Sequence, residues 1–252
     1  MNNFALDDRL SRNPCMPEGE AVYAIGDIHG RLDLVERLLI LIGADIRAHP
    51  GLRSTIVFLG DFIDRGPASR QVVELLMGGA PAYLGGVGWV CLAGNHEQVL
   101  LDFWNDPAAG PDWFHHGGLE TVRSYLKAPA PPDWGRDPAL VRSLLHGAVP
   151  PAHRAFLAGL PLSFEWGDYL FVHAGIRPGV ALDRQDPEDL TWIRHEFLND
   201  GRWHGKVVVH GHTPSPKPEN LFNRIGVDTG AWMSGHLSAV ALMGGTRRFI
   251  AT

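Results

Sequence analysis

Cysteine is scarce in this chain. Only Cys15 and Cys91 occur in 252 residues, a poor basis for a disulfide framework, and a reducing cytoplasm is the simplest compartment that follows. Cys91 lies in an apolar run and reads as a packed thiol. Long apolar runs are also missing: no uninterrupted stretch reaches the roughly 20 residues that a bilayer span needs. The first twenty residues, with their Asn, Asp, Arg, Pro and Glu, lack the apolar centre of a secretory signal. Basic residues fall short of acidic ones, 22 Lys and Arg against 28 Asp and Glu, a net charge of -6. That balance argues against a nucleic-acid backbone as the main partner. What remains is 45% hydrophobic and 20% charged, which suits one large soluble α/β domain or two small ones. The informative excess is 13 histidines.

One stretch organises the chain: Val57-Phe-Leu-Gly-Asp-Phe-Ile-Asp-Arg-Gly66. The run from Thr55 to Leu59 is β-branched, aromatic and uncharged, and predicts a buried strand. It ends at Gly60, and Asp61, Asp64 and Arg65 follow before Pro67 opens a helical pattern closing at Gly78-Gly79. This order puts two carboxylates at the carboxyl edge of a sheet, where α/β proteins place ligands. Acids left uncompensated there repel, so a cation is implied.

The same unit occurs twice more. Ala21 to Ile25 reads as a strand running into Gly26-Asp-Ile-His-Gly30, followed by a helix through Leu32, Val35, Leu38, Leu39 and Ile42 that stops at Gly43 before a polar loop over 44–54. Gly88 to Ala93 runs into Gly94-Asn-His-Glu97 and a helix carrying Val99, Leu100, Phe103 and Trp104. Three neighbouring strands with converging polar tips are therefore expected. Residues 1–20 read as a loose leader and 21–252 as the domain. Within it, 105–160 breaks the rhythm, with dense proline and tryptophan and helical patterns near 119–126 and 138–146. It reads as an inserted helical cap beside the site. Later strands end at His173-Ala-Gly175 and at His210-Gly-His-Thr-Pro214, a helical stretch spans 188–198, and a hairpin closes across Gly244-Gly245.

Asp27, His29, Asp61, Asn95, His173 and His212 thus terminate apolar strands. Carboxylate, imidazole and amide oxygen are ligands for divalent first-row metals, and the absence of thiolate argues against a closed structural zinc site. Six ligands exceed what one ion takes when substrate must also bind. Two ions sharing Asp61 are the economical arrangement.

These blocks resemble the phosphoprotein phosphatase branch of the metallophosphoesterases, in particular small bacterial and bacteriophage-lambda-type serine/threonine phosphatases. The resemblance rests on Gly26–Gly30, Gly60–Gly66, Gly94–Glu97, His173-Ala-Gly175 and Gly211-His-Thr-Pro214. It implies a four-layer α/β sandwich, two mixed sheets flanked by helices. It also implies a pair of divalent ions, manganese in assays with iron or zinc as alternatives, held by Asp27, His29 and Asp61 and by Asp61, Asn95, His173 and His212. His96 matches the proton donor to the leaving group, Asp64 the residue that orients it, and Arg65 and Arg194 the phosphate clamps. Paired cations lower the pKa of a bridging water, and the resulting hydroxide attacks phosphorus in line. The expected substrate is a phosphorylated protein or a small phosphate ester. The rival is a symmetrical dinucleoside-tetraphosphate hydrolase, and a catalytically silent phosphoprotein-binding module is disfavoured because every catalytic position is filled. Glu97 is read as structural or supporting. Asp228 either orients a metal histidine or ends a strand, His210 is packed or supporting, and His115-His116 line the cleft or pack a loop.

Overall fold

The computed structural model describes residues 13–127, 129, 131 and 133–252. Its first half is built from strand–helix units: β1 (Glu20–Ile25), α1 (Leu32–Ala48), β2 (Arg53–Phe58), α2 (Ser69–Gly78), β3 (Gly88–Cys91) and α3 (Asn95–Asn105). Four helices follow, α4 (Gly110–His115), α5 (Gly118–Tyr125), α6 (Pro138–Ala148) and α7 (Pro151–Ala158). The second half contains β4 (Ser163–Trp166), β5 (Tyr169–Val172), α8 (Pro187–Trp192), α9 (His195–Leu198), β6 (Val207–His210), β7 (Glu219–Asn220) and β8 (Arg224–Gly226). It closes with α10 (Ala231–Ser234), β9 (Ser238–Met243) and β10 (Thr246–Ala251).

Two mixed five-stranded sheets result, in the orders β10-β9-β1-β2-β3 and β4-β5-β6-β8-β7. β1, β2 and β3 are parallel neighbours, as the repeated units require. Strand alternation sets the layers. Tyr23 and Ile25 of β1 pack with Leu34, Val35 and Leu38 of α1, whereas Val22 and Ala24 face Phe171, Val209 and Ile225 of the other sheet. On the far side of that sheet, Leu170, Val172 and Val208 meet Leu190, Ile193 and Phe197. Both sheets are thus buried on two faces, each Val, Leu or Phe there contributing about 1.5–3 kcal/mol. The expected four-layer sandwich forms.

The helices α4 to α7 pack as part of one core. Trp113, Val122, Tyr125, Val141 and Leu145 are buried in the same cluster as Leu100 and Phe103 of α3. α1 does not stop at Gly43 but runs on to Ala48. Gly43 faces the segment after α2, and a Cβ there would lie 3.0 Å from Leu84 Cδ2, so it serves close packing and not termination. The expected helix over 188–198 is two short helices broken at Ile193 and Arg194. Most of the expected leader, residues 1–12, lies outside the described residues. Its described part is held in place: Met16 N donates to Gly244 O at 2.8 Å and Cys15 N to the Asp168 carboxylate at 3.0 Å. No helix of the described residues is long and apolar enough to cross a membrane.

Candidate active site

The polar residues that follow β1, β2, β3, β5 and β6 converge where the two sheets meet. The chain turns sharply to aim them inward. His29, Asp61, Asp64, Arg65 and His212 all adopt left-handed backbone, with φ between 46° and 70°. Of the non-glycine residues described, only Asp133 outside this cluster does so. The conformation costs L-residues roughly 1–2 kcal/mol each, and Asp and His tolerate it better than most. Strain concentrated in this way is held by surrounding structure and marks functional sites.

Glycines leave room for the carboxylates. A Cβ on Gly94 would lie 2.2 Å from Asp61 Oδ1, and one on Gly211 would lie 2.2 Å from Asp27 Oδ1. Glu97, fully buried, accepts backbone N–H bonds from Asp61 (2.9 Å), Phe62 (2.8 Å) and Gly94 (2.8 Å). It therefore ties the turn after β2 to the turn after β3. Asp27 accepts from the His212 amide at 3.1 Å, tying the first sheet to the second.

The protons can be assigned around the cluster. His29 Nδ1 donates to the Ile63 carbonyl and His173 Nδ1 to the Leu59 carbonyl, each at 2.8 Å. A carbonyl only accepts, so in both rings Nε2 is the lone pair when the ring is neutral. Burial keeps them neutral, holding His173 down to about 3 and His29 well below its usual value. Yet His173 Nε2 faces Asn95 Oδ1 at 3.0 Å, His212 Nδ1 at 3.1 Å and Asp61 Oδ1 at 3.4 Å. His29 Nε2 faces Asp61 Oδ2 at 3.5 Å. The Nε2 lone pairs of His173 and His29 thus face oxygen acceptors of Asn95 and Asp61, and His212 Nε2 has no hydrogen-bond partner. Burial and the neighbouring Glu97 carboxylate raise Asp61 well above the carboxylate range, and burial with Asp228 and Asp61 does the same to Asp27. Bound cations would satisfy these lone pairs. Ligand atoms of His29, Asp61 and His96 lie within 4.8 Å of one another, as do those of Asp61, His173 and His212. The two groups share Asp61, and their oxygen and imidazole donors fit divalent first-row ions.

Beside them lies a dyad. His96, at the start of α3, places Nδ1 2.7 Å from Asp64 Oδ2. Asp64 also accepts from Thr121 Oγ1 at 2.5 Å and Trp113 Nε1 at 2.9 Å, while its own amide donates to Thr121 Oγ1 and Ser69 Oγ. Burial pushes Asp64 up to about 7, and the Thr121 and Trp113 hydrogen bonds pull it back. His96 Nε2 is turned towards Arg65 Nη2 (3.3 Å) and Asp61 Oδ2 (3.8 Å). The Arg65 guanidinium lies 5.1 Å above the Trp232 ring, and its backbone amide donates to Gly117 O, just before α5. Arg194, exposed, bonds His212 O at 3.2 Å and Thr213 Oγ1 at 3.3 Å. All ten residues singled out in the sequence therefore fall in one cluster.

Residues 21–238 match the calcineurin-like phosphoesterases. The chain belongs to this family. It is a hydrolytic phosphoesterase, of a family that uses divalent metals. Among curated relatives, the asymmetrical bis(5'-nucleosyl)-tetraphosphatase PrpE of Oceanobacillus iheyensis is 28% identical over 85% of this chain and 86% of its own. The PrpE of a Geobacillus species, named likewise, is 30% identical over 85% and 87%. A solved structure described as a candidate diadenosine tetraphosphatase superposes with a TM-score of 0.61 at 22% identity, over 95% of this chain and 98% of that one.

Within this calcineurin-like phosphoesterase the undecided residues also find places. His210 is a core histidine: burial holds it down to about 4, and its ring packs 5.2 Å from that of Phe197. Asp228 accepts from Gly230 N at 2.8 Å and lies against Asp27. The His116 ring stands 5.8 Å from that of His96 and so borders the cleft. Sequence reasoning missed Trp113, Thr121 and Ser69, which position Asp64. The available signal was Thr121 itself, a hydroxyl beside Val122 and Tyr125 on the apolar face of α5, where burial demands a polar partner.

Proposed function

We propose that this phosphoesterase hydrolyses a dinucleoside tetraphosphate asymmetrically, into a nucleoside monophosphate and a nucleoside triphosphate. The observation that carries phosphoester hydrolysis is the His96–Asp64 dyad set between the shared carboxylate Asp61 and the Arg65 guanidinium. The choice of substrate and of cleavage point is supported by the activity for which the PrpE relatives are named. A serine/threonine phosphatase, expected from the motifs, gains no support from those names and is the second reading.

We assign Asp27, His29 and Asp61 to one divalent ion and Asp61, Asn95, His173 and His212 to another, with manganese the ion for assays. Such a pair, when bound, polarises phosphoryl oxygens and makes an attacking water acidic. The chain's own groups do the rest. Arg65 and Arg194 each present planar N–H pairs that suit two oxygens of a phosphate and hold it in register. His96, its Nδ1 on Asp64, carries a proton on Nε2 to the leaving oxygen. Asp64 stabilises that charged ring through a charge-assisted hydrogen bond, and Thr121 and Trp113 keep the carboxylate turned towards it.

The test is product analysis. With the manganese-loaded protein and diadenosine tetraphosphate, ion-exchange chromatography is expected to resolve AMP and ATP in equal amounts. Two ADP would mean symmetrical cleavage. A higher kcat/KM on a phosphoserine peptide would reinstate the protein phosphatase.

A further inference from the structure

A cavity of about 450 Å³ opens beside the phosphate site, lined by Trp192, Arg194, Arg177, Asp186, Glu188 and Asp189. Its volume falls within the range of small-molecule sites. The break between α8 and α9 creates it. Trp192 ends α8, Ile193 is buried as an anchor, and Arg194 emerges on the other side, so one extended residue separates two exposed side chains. The Trp192 ring stands 6.2 Å from that of His212, edge to face. Arg194 bonds the His212 carbonyl and Thr213. The cavity and the phosphate site therefore share a wall.

Charge is sorted across it. Arg177 is matched by Asp189, at 3.0 and 2.5 Å, and so offers little to a phosphate. Asp186 caps α8 by accepting from Glu188 N at 2.8 Å. The outer rim is thus carboxylate, which repels phosphate and accepts hydrogen bonds from hydroxyls. Arg194, which forms no ion pair with a carboxylate among the described residues, sits at the inner edge. Between them stands an aromatic face, 36% exposed.

Resting on the dinucleoside reading above, we propose that this cavity is a nucleoside subsite: the base stacks on Trp192, the ribose diol donates to the Glu188 rim, and Arg194 takes the first phosphate on its way to the dyad.

The experiment compares wild type, Trp192→Ala and Trp192→Phe on diadenosine tetraphosphate and on p-nitrophenyl phosphate, which has no nucleoside. AMP binding is measured in parallel by calorimetry. Base–aromatic stacking predicts that Trp192→Ala lowers kcat/KM on the dinucleotide roughly tenfold, through KM, and that Trp192→Phe recovers most of it. Turnover of p-nitrophenyl phosphate is expected to stay within about twofold, since the reacting groups are untouched. AMP affinity is expected to fall in the same proportion as kcat/KM on the dinucleotide. If wild type cleaves the dinucleotide and Trp192→Ala does so equally well, the subsite is refuted while the dinucleoside reading stands. If wild type ignores the dinucleotide but cleaves p-nitrophenyl phosphate, the dinucleoside reading fails. AMP binding unaffected by Trp192→Ala would then refute the subsite as well. A Trp192→Ala loss confined to a phosphopeptide with basic flanks would replace the nucleoside with a cationic peptide.

Discussion

Gly94→Ala isolates a single contact. Gly94 has φ -99° and ψ 177°, a region open to alanine, so the substitution carries no backbone penalty. The added methyl, however, would lie 2.2 Å from Asp61 Oδ1 and 2.5 Å from Asp61 N. Ordinary contact begins near 3.4 Å, so the gap must widen by roughly 1.2 Å. Asp61 has nowhere to retreat: its amide is fixed to Glu97, and its Oδ1 accepts from His96 N at 3.1 Å. Overpacking of this kind costs about 1–3 kcal/mol, a loss of several degrees in Tm for a chain of this size. Misplacing a reacting group by about 1 Å costs on the order of 100-fold in rate. The variant is therefore expected to fold, bind less metal and turn over about 100-fold more slowly. The assay is kcat on p-nitrophenyl phosphate, with elemental analysis and circular dichroism on the same preparation. Gly147→Ala, with nothing within 4 Å of the added methyl, is the control. A Gly94→Ala enzyme with full metal and kcat within about threefold of wild type would refute the reasoning.

His96→Asn is expected to lower kcat by about 10²- to 10⁴-fold, the range for a lost proton donor, while metal content persists. The loss should be smaller on a dinucleoside tetraphosphate than on phosphoserine, because a triphosphate leaves with less need of a proton than an alkoxide. Thr121→Val removes a charge-assisted bond worth about 1.5–3 kcal/mol from Asp64. That bond holds the carboxyl below where burial alone would put it, so its loss raises the Asp64 pKa further. An acid limb of the kcat–pH profile governed by Asp64 ionisation should move to higher pH, and an unchanged profile would separate Thr121 from the dyad. Native protein should react with one equivalent of a thiol reagent at pH 8 and denatured protein with two. Burial pushes Cys91 up to about 12, whereas Cys15 is exposed.

The site was legible because strand ends are local. An apolar β-branched run, a glycine and then Asp, His or Asn reads the same wherever the chain later places it, and so Asp27, Asp61, Asn95, His173 and His212 stood out one by one. What joined them was the parallel pairing of β1, β2 and β3, which follows from the repeated unit, and the packing of the second sheet, which only the family resemblance implied. The support of the site was not legible. Thr121 and Trp113 reach Asp64 from 57 and 49 residues away, and no local pattern announces such a partner. Glu97 read as structural or supporting, but which groups it holds was not readable: its three backbone bonds fasten two turns together. Gly43 failed as a stop signal because tertiary packing overrode its low helix propensity. The left-handed backbone at Asp61, Asp64 and Arg65 went unseen as well, since glycine is the residue that usually advertises it.

A crystal soaked with manganese and measured at its absorption edge tests the shared-carboxylate arrangement most directly. Two anomalous peaks are expected, one bounded by Asp27, His29 and Asp61 and the other by Asp61, Asn95, His173 and His212. A lone peak, or two peaks with Asp61 touching only one of them, would contradict it.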